Sequence, residues 1–590
     1  MQKMTLIGRF LIWRAKHISN KQFIMILSIL IGLSAGIGAF IIKKFVHLIH
    51  LLLTSGFSEN YHTYLYFIYP TIGILLVIIF IKLILKQRVE HGIPSVLHAI
   101  SKTNGIIKRH NIFSSIITSA LTVGFGGSVG LEGPTVATGA AIGSNIGRMF
   151  RLNYRQIILM LGCASAGAMS AIFKAPIAAI VFALEVIMLD LTMASLVPLL
   201  LASVSAALTS YLLLGQDVLY PFKLVETFQI SDVPFYILLG VFTGFISLYF
   251  TRMYMFIEKI FDNIKKWYSK LIIGGLILGI LIFFLPSLYG EGYDAIKSNL
   301  NGDSSHLFSN SFFSAYSNEF LMIVVFFIFI ILFKVIATAV TFGSGGVGGV
   351  FAPSLFLGSS AGLFFAKIFN YFGANINPRN FALVGMAGLI AGVIHAPLTA
   401  IFLIAETTGG YQLFLPLMIT ATISYATIKI FESNSVYTIQ LAKRGELMTH
   451  HKDKNVLSMM KVKKLIETNF KTINSDATLG DLVLVISKSS RNIYPVIDNE
   501  NNLLGIVFLD HIRHIMFKQE MYDKIYVRDL MYMPTPVISP EESMEDVAKK
   551  FQNSDNFNLP VVQNGKYIGF VSRANVFSSY RKLLKEFSED

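Results

Sequence analysis

Glu132 is the residue in this sequence whose type and surroundings point most directly to chemistry. It is the only charged residue between His110 and Arg148, in a stretch rich in Gly, Ala, Ser, Thr and aliphatic residues. That composition is typical of tightly packed membrane helices, in which an ionisable side chain is costly and indicates a functional site by default. The alternative is a carboxylate in a wet loop at the membrane edge, where it would cost little.

The residues that follow Glu132 favour a site that an anion can share. Gly133 lets a ligand approach the backbone, and Pro134 suits the first turn of a helix. A helix N-terminus offers free N–H groups and a partial positive charge, both of which favour anions. The motif therefore predicts a carboxylate held where an anion can also bind.

The bulk composition indicates a membrane protein. The chain has 590 residues, of which 54% are hydrophobic and 14% charged, whereas about 25% of residues are charged in a typical soluble protein. The charge-free runs 23–42 and 191–216 are each long enough to span a bilayer. Arg9 and Arg14 precede a segment too long for a cleaved signal peptide, so we expect a cytoplasmic N-terminus.

The charge balance and cysteine content exclude further classes of site. We attribute the net charge of +14 to basic residues on the cytoplasmic side of a membrane protein and expect no nucleic-acid partner. Cys163 is the only cysteine, which excludes an intrachain disulfide and a cysteine metal cluster. No nucleophile with a paired base and no metal-ligand spacing is present, so we predict that the protein is not an enzyme and has no cofactor or metal.

A change in composition near residue 445 predicts two parts, with a membrane part at 1–445 and a linker at 446–457. The polar remainder contains two copies of a helix–strand–turn–strand pattern, at 458–520 and 526–588. Their Asp, Pro and Gly markers recur at nearly the same spacing: Asp481 and Asp546, Pro495 and Pro560, Gly505 and Gly569. This pattern resembles a pair of CBS modules, small regulatory domains that often bind adenine nucleotides.

The membrane part also contains an internal repeat. The segment that runs from Gly167 through Pro176 to Glu185 matches a second one, at a constant displacement, that ends at Glu406. Upstream, Gly130 and Pro134 match Gly349 and Pro353 at nearly the same displacement. Transporters with internal repeats place their ligand near the middle of the membrane, where interrupted helices point their ends inward.

Three segments bounded by Gly and Pro are candidates for such interrupted helices: Glu90-His91-Gly92-Ile93-Pro94, Gly130-Leu131-Glu132-Gly133-Pro134 and Gly349-Val350-Phe351-Ala352-Pro353. Taken singly, each is equally consistent with an ordinary helix break. Their joint order and the repeat favour functional helix starts. Tyr437, near the end of the membrane part, is by itself more typical of an interfacial tyrosine than of a ligand.

Together these motifs resemble the CLC family of chloride channels and chloride/proton exchangers. The family's filter motifs run GSGIP, GxEGP and GxFxP, with a tyrosine near the last membrane helix. The resemblance implies an α-helical polytopic membrane protein with an inverted internal repeat (the CLC fold) and a cytoplasmic α/β CBS pair. It also implies a homodimer in a lipid bilayer, with one anion pathway in each subunit.

The resemblance assigns roles to individual residues. Glu132 would be the gating glutamate, which blocks an anion site when deprotonated and swings away when protonated. Val350 and Phe351 would offer backbone N–H groups to the anion, and Tyr437 its hydroxyl. The matched anion-binding positions are His91, Gly92, Ile93, Gly130, Gly133, Val350, Phe351 and Tyr437.

The sequence departs from the family pattern at three positions. His91 replaces the filter serine, and it can either donate an N–H to the anion or turn away and leave the backbone as donor. Val186 stands where many exchangers carry an inner proton glutamate, so Glu185 serves instead or proton coupling is absent. Lys174 is either a lysine that extends to the cytoplasmic surface or a cation that attracts anions electrostatically.

The CBS modules depart from the nucleotide-binding pattern too. His511 and Asn575 occupy the positions where an Asp usually holds the ribose hydroxyls, and Asp510 lies one residue early. Ser572 does match the family's Ser or Thr. We therefore expect adenine nucleotides to bind weakly at best, and the modules to act mainly in contacts within a dimer.

These observations predict transmembrane transport of chloride or a similar monovalent anion, gated by a protonatable glutamate, in a channel or weakly coupled exchanger. A tightly coupled chloride/proton antiporter is the first alternative. A CBS-bearing divalent-cation transporter would need several acidic groups along its path, and a membrane-tethered nucleotide sensor would leave the Glu132 motif unexplained. We expect the protein in a bacterial cytoplasmic (inner) membrane, with its N-terminus and CBS pair in the cytoplasm.

Overall fold

The chain divides into two compact units, Met1–Leu447 and Met448–Asp590. The structure is a computed structural model, and it describes residues 6–54, 65–87, 92–187, 193–216, 220, 228–303, 305–308, 311, 319–443, 457, 460–533, 536–554 and 556–588. Glu90 and His91 of the first motif lie outside the described residues, so the two expectations for His91 stay predictions.

The first unit is built of helices. In chain order they are α1 (Leu6–His17), α2 (Asn20–Thr54), α3 (Tyr69–Ile79, continued by a π-helical turn, Phe80–Leu85), α4 (Gly92–Lys102), α5 (Asn111–Gly124), α6 (Glu132–Met149), α7 (Tyr154–Phe173), α8 (Pro176–Glu185), α9 (Met193–Leu214), α10 (Val233–Asn263), α11 (Trp267–Phe284), α12 (Tyr293–Leu300), α13 (Ser305–Phe308), α14 (Phe320–Gly343), α15 (Phe351–Tyr371), α16 (Pro378–Ile394), α17 (Pro397–Thr407), α18 (Phe414–Phe431) and α19 (Ile439–Lys443).

Many of these helices are long and apolar enough to cross a membrane. Within the described residues this holds for eight of them, namely α2, α7, α9, α10, α11, α14, α15 and α18. Five shorter apolar helices, which include α8, α16 and α17, lie among them. The mixture of long and short helices matches the interruptions that the Gly and Pro motifs predict.

The internal repeat is confirmed as a repeat of structure, in which α6–α8 correspond to α15–α17. In each half the middle helix ends in a residue with left-handed backbone, Lys174 (φ 56°) or His395 (φ 60°), and an Ala-Pro pair then starts the next helix. The first two helices of each half pack backbone to backbone. A Cβ added at Gly143 would lie 2.4 Å from the Met160 carbonyl oxygen, and one at the equivalent Gly362 would lie 1.9 Å from that of Phe381.

The second unit contains the two predicted α/β modules. In the first, β1 (Ile473–Asn474) pairs in parallel with β2 (Ile493–Ile497), which pairs antiparallel with β3 (Leu503–Phe508). In the second, β4 (Asn558–Gln563) pairs antiparallel with β5 (Lys566–Ser572). The helices of these modules include α20 (Leu479–Ser487), α21 (Leu509–Ile512), α22 (Val527–Leu530), α23 (Met544–Asn553) and α24 (Arg573–Ser588).

The markers of the CBS repeat have defined structural duties. Asp481 completes a capping box with Thr478 at the start of α20, and Ser543 accepts from the backbone N–H of Asp546 at the start of α23. In each hairpin, the Pro marker and the Gly marker belong to adjacent cross-strand residue pairs. The register pairs Val496 with Gly505 in the first copy, and it pairs Val561 with Gly569 in the second.

Candidate anion pathway

Glu132 lies at the first position of α6 and is completely buried. Helix α6 begins there because Gly133 and Pro134 are compatible with a first turn, and its N-terminal N–H groups lack intrahelical partners. The alternative of a carboxylate in a wet loop is therefore wrong for this structure. A buried carboxylate at a helix N-terminus is placed where it competes with an anion for the same donors.

The two repeated motifs are joined directly by their backbones. Gly130 N–H donates to the Gly349 carbonyl, and Gly349 N–H donates to the Gly130 carbonyl, both at 2.8 Å. These glycines are the pair that the sequence repeat predicts to be equivalent. The bridge therefore places the start of α6 beside the start of α15, with one half of the repeat contributing each helix.

The start of α4 meets the same junction. Gly92 has a positive φ of 39°, and a Cβ added there would lie 3.2 Å from Cα of Gly133. A Cβ on Gly133 would in turn lie 3.2 Å from Cα of Gly349. Three helix N-termini thus converge through glycine backbones, which brings together the described parts of all three motifs, including the buried Ile93 that follows Gly92.

The carboxylate of Glu132 is folded back into this junction. Its Oε1 accepts a hydrogen bond of 2.5 Å from the Tyr293 hydroxyl at the start of α12. Its Oε2 has no hydrogen-bond partner within the described part of the chain, and it lies so close to Gly130 that a Cβ there would approach it to 2.1 Å. The backbone amides of Glu132 and Ala352 lie near the carboxylate. In this position the side chain occupies space at the helix ends, where an anion would otherwise find donors.

Val350 and Phe351 stand where the resemblance requires donors. Val350 precedes α15 and Phe351 is its first residue, so their N–H groups lie before the regular i→i−4 hydrogen bonds begin. The Phe351 ring packs against Phe173 at 5.3 Å between ring centroids, which connects the α15 start to the end of α7. Both amides are therefore held on a rigid, buried helix start.

Tyr437 is buried, and its hydroxyl has no hydrogen-bond partner among the residues that the structure describes. The Tyr437 side chain lies within electrostatic reach of Glu132. A buried hydroxyl without a partner is costly, and an anion held at this position would accept its hydrogen bond. This environment differs from that of an interfacial tyrosine.

Sequence reasoning missed a group of charged residues beside Glu132. Glu291 accepts a hydrogen bond of 3.2 Å from the N–H of Leu131, the residue that precedes Glu132. Lys334 on α14 is completely buried and donates to the carbonyls of Leu288 and Gly290 at 3.3 and 3.0 Å. Lys334 is the only charged residue between Glu319 and Lys367, so the criterion that selects Glu132 would also have selected it.

Lys43 and Lys174 lie at the edge of the same charged group. Lys43 on α2 donates to the Ile172 carbonyl at 2.6 Å, and it interacts electrostatically with Glu132, Glu291 and Lys174. Lys174 caps α7 and donates to the Gly215 carbonyl at 2.9 Å. Lys174 adds to the positive potential around Lys43, and its ammonium group bonds an exposed carbonyl, so both interpretations of Lys174 stay predictions.

Glu185 lies at the end of α8, and both its carboxylate oxygens are used there. They accept hydrogen bonds from the backbone N–H groups of Leu398 (3.2 Å) and Thr399 (2.8 Å) at the start of α17. Glu406 repeats the arrangement, since it accepts from the N–H groups of Ile177 (3.1 Å) and Ala178 (2.8 Å) at the start of α8. Each helix therefore caps the other, which makes α8 and α17 antiparallel and gives Glu185 a structural duty.

We expect this reciprocal capping to dominate the behaviour of Glu185 variants. Replacing Glu185 or Glu406 with Ala should lower stability by about 0.5–2 kcal/mol in either case, the usual cost of losing a helix cap. Thermal unfolding of the purified protein in detergent measures this effect. Glu185→Gln should leave any proton movement at the wild-type level, and its loss in Glu185→Gln but not in Glu406→Gln would show that Glu185 carries protons.

Ser572 in the second CBS module already has an internal partner. Its hydroxyl donates to Glu467 at 2.6 Å and accepts from the Asn575 N–H at 3.1 Å, while Glu467 also pairs with Arg491 at 2.8 Å. The Asn575 side chain donates to the Leu465 carbonyl at 3.3 Å. The resemblance implies that Ser572 bonds a nucleotide, but its hydroxyl is already bonded to the carboxylate of Glu467.

ATP and AMP should bind the CBS unit weakly. His511 and Asn575 cannot accept hydrogen bonds from ribose as a carboxylate does, and each lost bond to a charged acceptor is worth ~1.5–3 kcal/mol, or roughly ten- to a hundredfold in affinity. Calorimetry with the full-length protein measures this, with Glu467→Gln as a variant that removes the competing charge. Micromolar affinity in the wild type would mean that other residues hold the ribose.

Comparison with known proteins decides the family. The sequence model of the Voltage gated chloride channel family matches residues 73–429, and that of the CBS domain matches residues 462–518 and 527–582. The chain belongs to the CLC family. The matched region contains the Gly92, Glu132 and Val350 motifs, and with them the junction of three helix N-termini.

Individual relatives include proteins described as channels and as exchangers. A Voltage-gated ClC-type chloride channel ClcB of Escherichia coli is 30% identical over 56% of this chain and 75% of its own length. An H(+)/Cl(-) exchange transporter ClcA of Vibrio cholerae is 27% identical over 70% of this chain and 88% of its own. The family assignment therefore leaves the transport mode open.

Solved structures of CLC proteins share the fold of this chain. A slow cyanobacterial Cl-/H+ antiporter matches with a TM-score of 0.63 and 23% identity, over 71% of this chain and 97% of its own. A eukaryotic CLC transporter matches with a TM-score of 0.60 and 18% identity, over 94% of this chain and 97% of its own. The predicted helical membrane fold with a C-terminal CBS pair is thus confirmed.

Proposed function

We propose that this protein transports chloride, or a similar monovalent anion, across a membrane through a pathway gated by Glu132. The observation that carries the proposal is the reciprocal Gly130–Gly349 bridge. It places the N-termini of two repeated helices together, with a fully buried carboxylate folded between them. The names of the family and of the relatives support chloride as the anion.

The gate acts through competition for donors. When Glu132 is ionised, its carboxylate fills space beside the helix N-termini and repels an incoming anion. When it is protonated, the electrostatic competition ends and the side chain can leave the junction. The anion then takes backbone N–H groups at Val350 and Phe351 and the Tyr437 hydroxyl. Neutral donors suit this task, because full lysine charges in contact with the anion would hold it too tightly for release.

Weak proton coupling is the mode that the residues support best. Val186 cannot carry a proton, and Glu185 is committed to capping α17. A tightly coupled antiporter remains the second candidate, supported by exchangers among the relatives and by the titratable Glu132. A divalent-cation transporter is not supported, since no group of three or more potential metal ligands of the His, Cys, Asp and Glu types occurs within the described residues.

We also propose the assembly and location. The protein would be a homodimer in a bacterial cytoplasmic membrane, with one pathway in each subunit, and its N-terminus and CBS pair would face the cytoplasm. The basic residues that precede α2 support this orientation, because cytoplasmic ends of membrane helices carry an excess of Lys and Arg.

Anion efflux from liposomes tests the proposed function. Liposomes that contain the purified protein should release chloride faster than protein-free liposomes, and they should retain gluconate. Tyr437→Phe removes only the hydroxyl, so it should change the order of chloride, bromide and nitrate release while protein abundance stays constant. Release at the protein-free rate would contradict the function, and an unchanged anion order would remove Tyr437 from the pathway.

A further inference from the structure

Two side chains of the short segment 290–293 form hydrogen bonds with the gate residue Glu132 and with its neighbour Leu131. Glu291 accepts from the Leu131 N–H at 3.2 Å, and Tyr293 donates to the Glu132 carboxylate at 2.5 Å. The segment is itself fixed, because Lys334 donates to the Gly290 carbonyl at 3.0 Å and Gly290 N–H donates to that of Gly126 at 3.1 Å. The second carboxylate is therefore a built part of the gate region.

The two carboxylates differ in burial. Glu132 is completely buried, whereas Glu291 and Tyr293 are partly exposed. A proton that moves between Glu132 and bulk water must cross the protein that covers Glu132. Glu291 is the less buried of the two carboxylates, it is bonded to the residue that precedes Glu132, and it lies within electrostatic reach of Glu132.

The charges that surround Glu291 favour proton binding when an anion enters. Glu291 faces Glu132 on α6, Lys43 on α2 and Lys334 on α14, and two tyrosines, Tyr293 and Tyr220, are also close. Tyr220 is buried and its hydroxyl has no partner in the described part of the chain. An anion that enters beside these two carboxylates adds a third negative charge. A nearby like charge favours the protonated form of a carboxylic acid, so anion binding promotes proton uptake that the two carboxylates share.

We propose that Glu291 is a second proton-binding carboxylate, which exchanges protons between water and the gate carboxylate of Glu132. In the exchange, one proton leaves the carboxyl group of Glu291 and binds the carboxylate of Glu132, so that Glu291 becomes the ionised partner and the total charge is unchanged. Tyr293 positions the gate for this transfer. The inference deepens the proposed function and rests on it.

Chloride binding to the full-length protein tests the inference. Calorimetry in two buffers of different ionisation enthalpy gives the number of protons taken up per chloride bound. Glu132→Gln should retain part of the wild-type uptake, and the double variant E132Q/E291Q should take up none. Glu291→Gln alone should reduce the uptake by about twofold, because two coupled carboxylates share the proton. Gln at this position still offers an oxygen to the Leu131 N–H, so the fold is preserved.

Asp294→Asn is the matched control. Asp294 belongs to the same stretch of chain, but its side chain is 80% exposed and pairs with Lys297 at 3.7 Å. The control should keep wild-type proton uptake. If Glu291→Gln also keeps wild-type proton uptake, Glu291 acts only as a hydrogen-bond acceptor for the Leu131 N–H. That result would overturn this inference and leave the proposed function intact. A wild-type protein that binds no chloride would overturn the proposed function, and the inference with it.

Discussion

Chloride flux through the Glu132→Gln variant should persist and should lose most of its dependence on pH. Glutamine has nearly the same shape as glutamic acid but stays neutral, so the variant resembles the protonated gate at every pH. The buried, isolated position of Glu132 and its contact with Tyr293 motivate this expectation. Any proton movement coupled to chloride should fall to the background of protein-free liposomes.

The measurement is chloride efflux from liposomes at a series of pH values. Glu432→Gln is a suitable control, since Glu432 is a carboxylate near the end of the membrane part that pairs with Arg252 at 2.9 Å. A variant in which the full wild-type pH dependence remains would remove Glu132 from the role of gate.

Gly130→Ala should open the gate without changing any titratable group. The added Cβ would lie 2.1 Å from Oε2 of Glu132 and 2.8 Å from Cβ of Ala352, whereas ordinary contacts begin at 3.4 Å. The start of α15 must therefore shift by roughly 0.6 Å, and the flexible carboxylate must move by roughly 1.3 Å. Such a movement disrupts the hydrogen bond from Tyr293, and a hydrogen bond to a charged group contributes about 1.5–3 kcal/mol. The open population should rise by about ten- to a hundredfold.

Chloride efflux at high pH, where the wild-type gate is closed, measures this effect. Tyr293→Phe is the matched variant, because it removes the same hydrogen bond without crowding the junction, and both variants should increase efflux. Efflux in Gly130→Ala that is equal to or below the wild-type rate, with normal protein abundance, would mean that the folded-back side chain does not block the pathway.

Much of the gate could be predicted from sequence because its parts are local or repeated. Glu132 is identified by isolation among apolar residues. The equivalence of Gly130 and Gly349 follows from the internal repeat, and the structure turns that equivalence into a pair of hydrogen bonds. The two CBS copies can likewise be recognised in the sequence by their Pro and Gly markers. These markers recur at nearly the same spacing because they occupy equivalent positions in the two hairpins.

The partners of the gate could not be predicted in this way. Tyr293 and Glu291 are far from Glu132 in the chain and match no motif, so only the packing of α12 against the α6 junction brings them together. The cap that Glu185 provides to α17 depends on the antiparallel contact of two repeated helices. Long-range contacts of this kind leave no periodic signal in a single sequence.

Chloride and pH recorded together in one liposome preparation give the sharpest test of a chloride pathway that protons open. We predict chloride efflux that accelerates on acidification, because protonation of Glu132 releases the gate, and proton movement that bears no fixed ratio to chloride. Efflux indistinguishable from protein-free liposomes at every pH would contradict chloride transport. A fixed proton-to-chloride ratio would contradict weak coupling and establish a coupled antiporter.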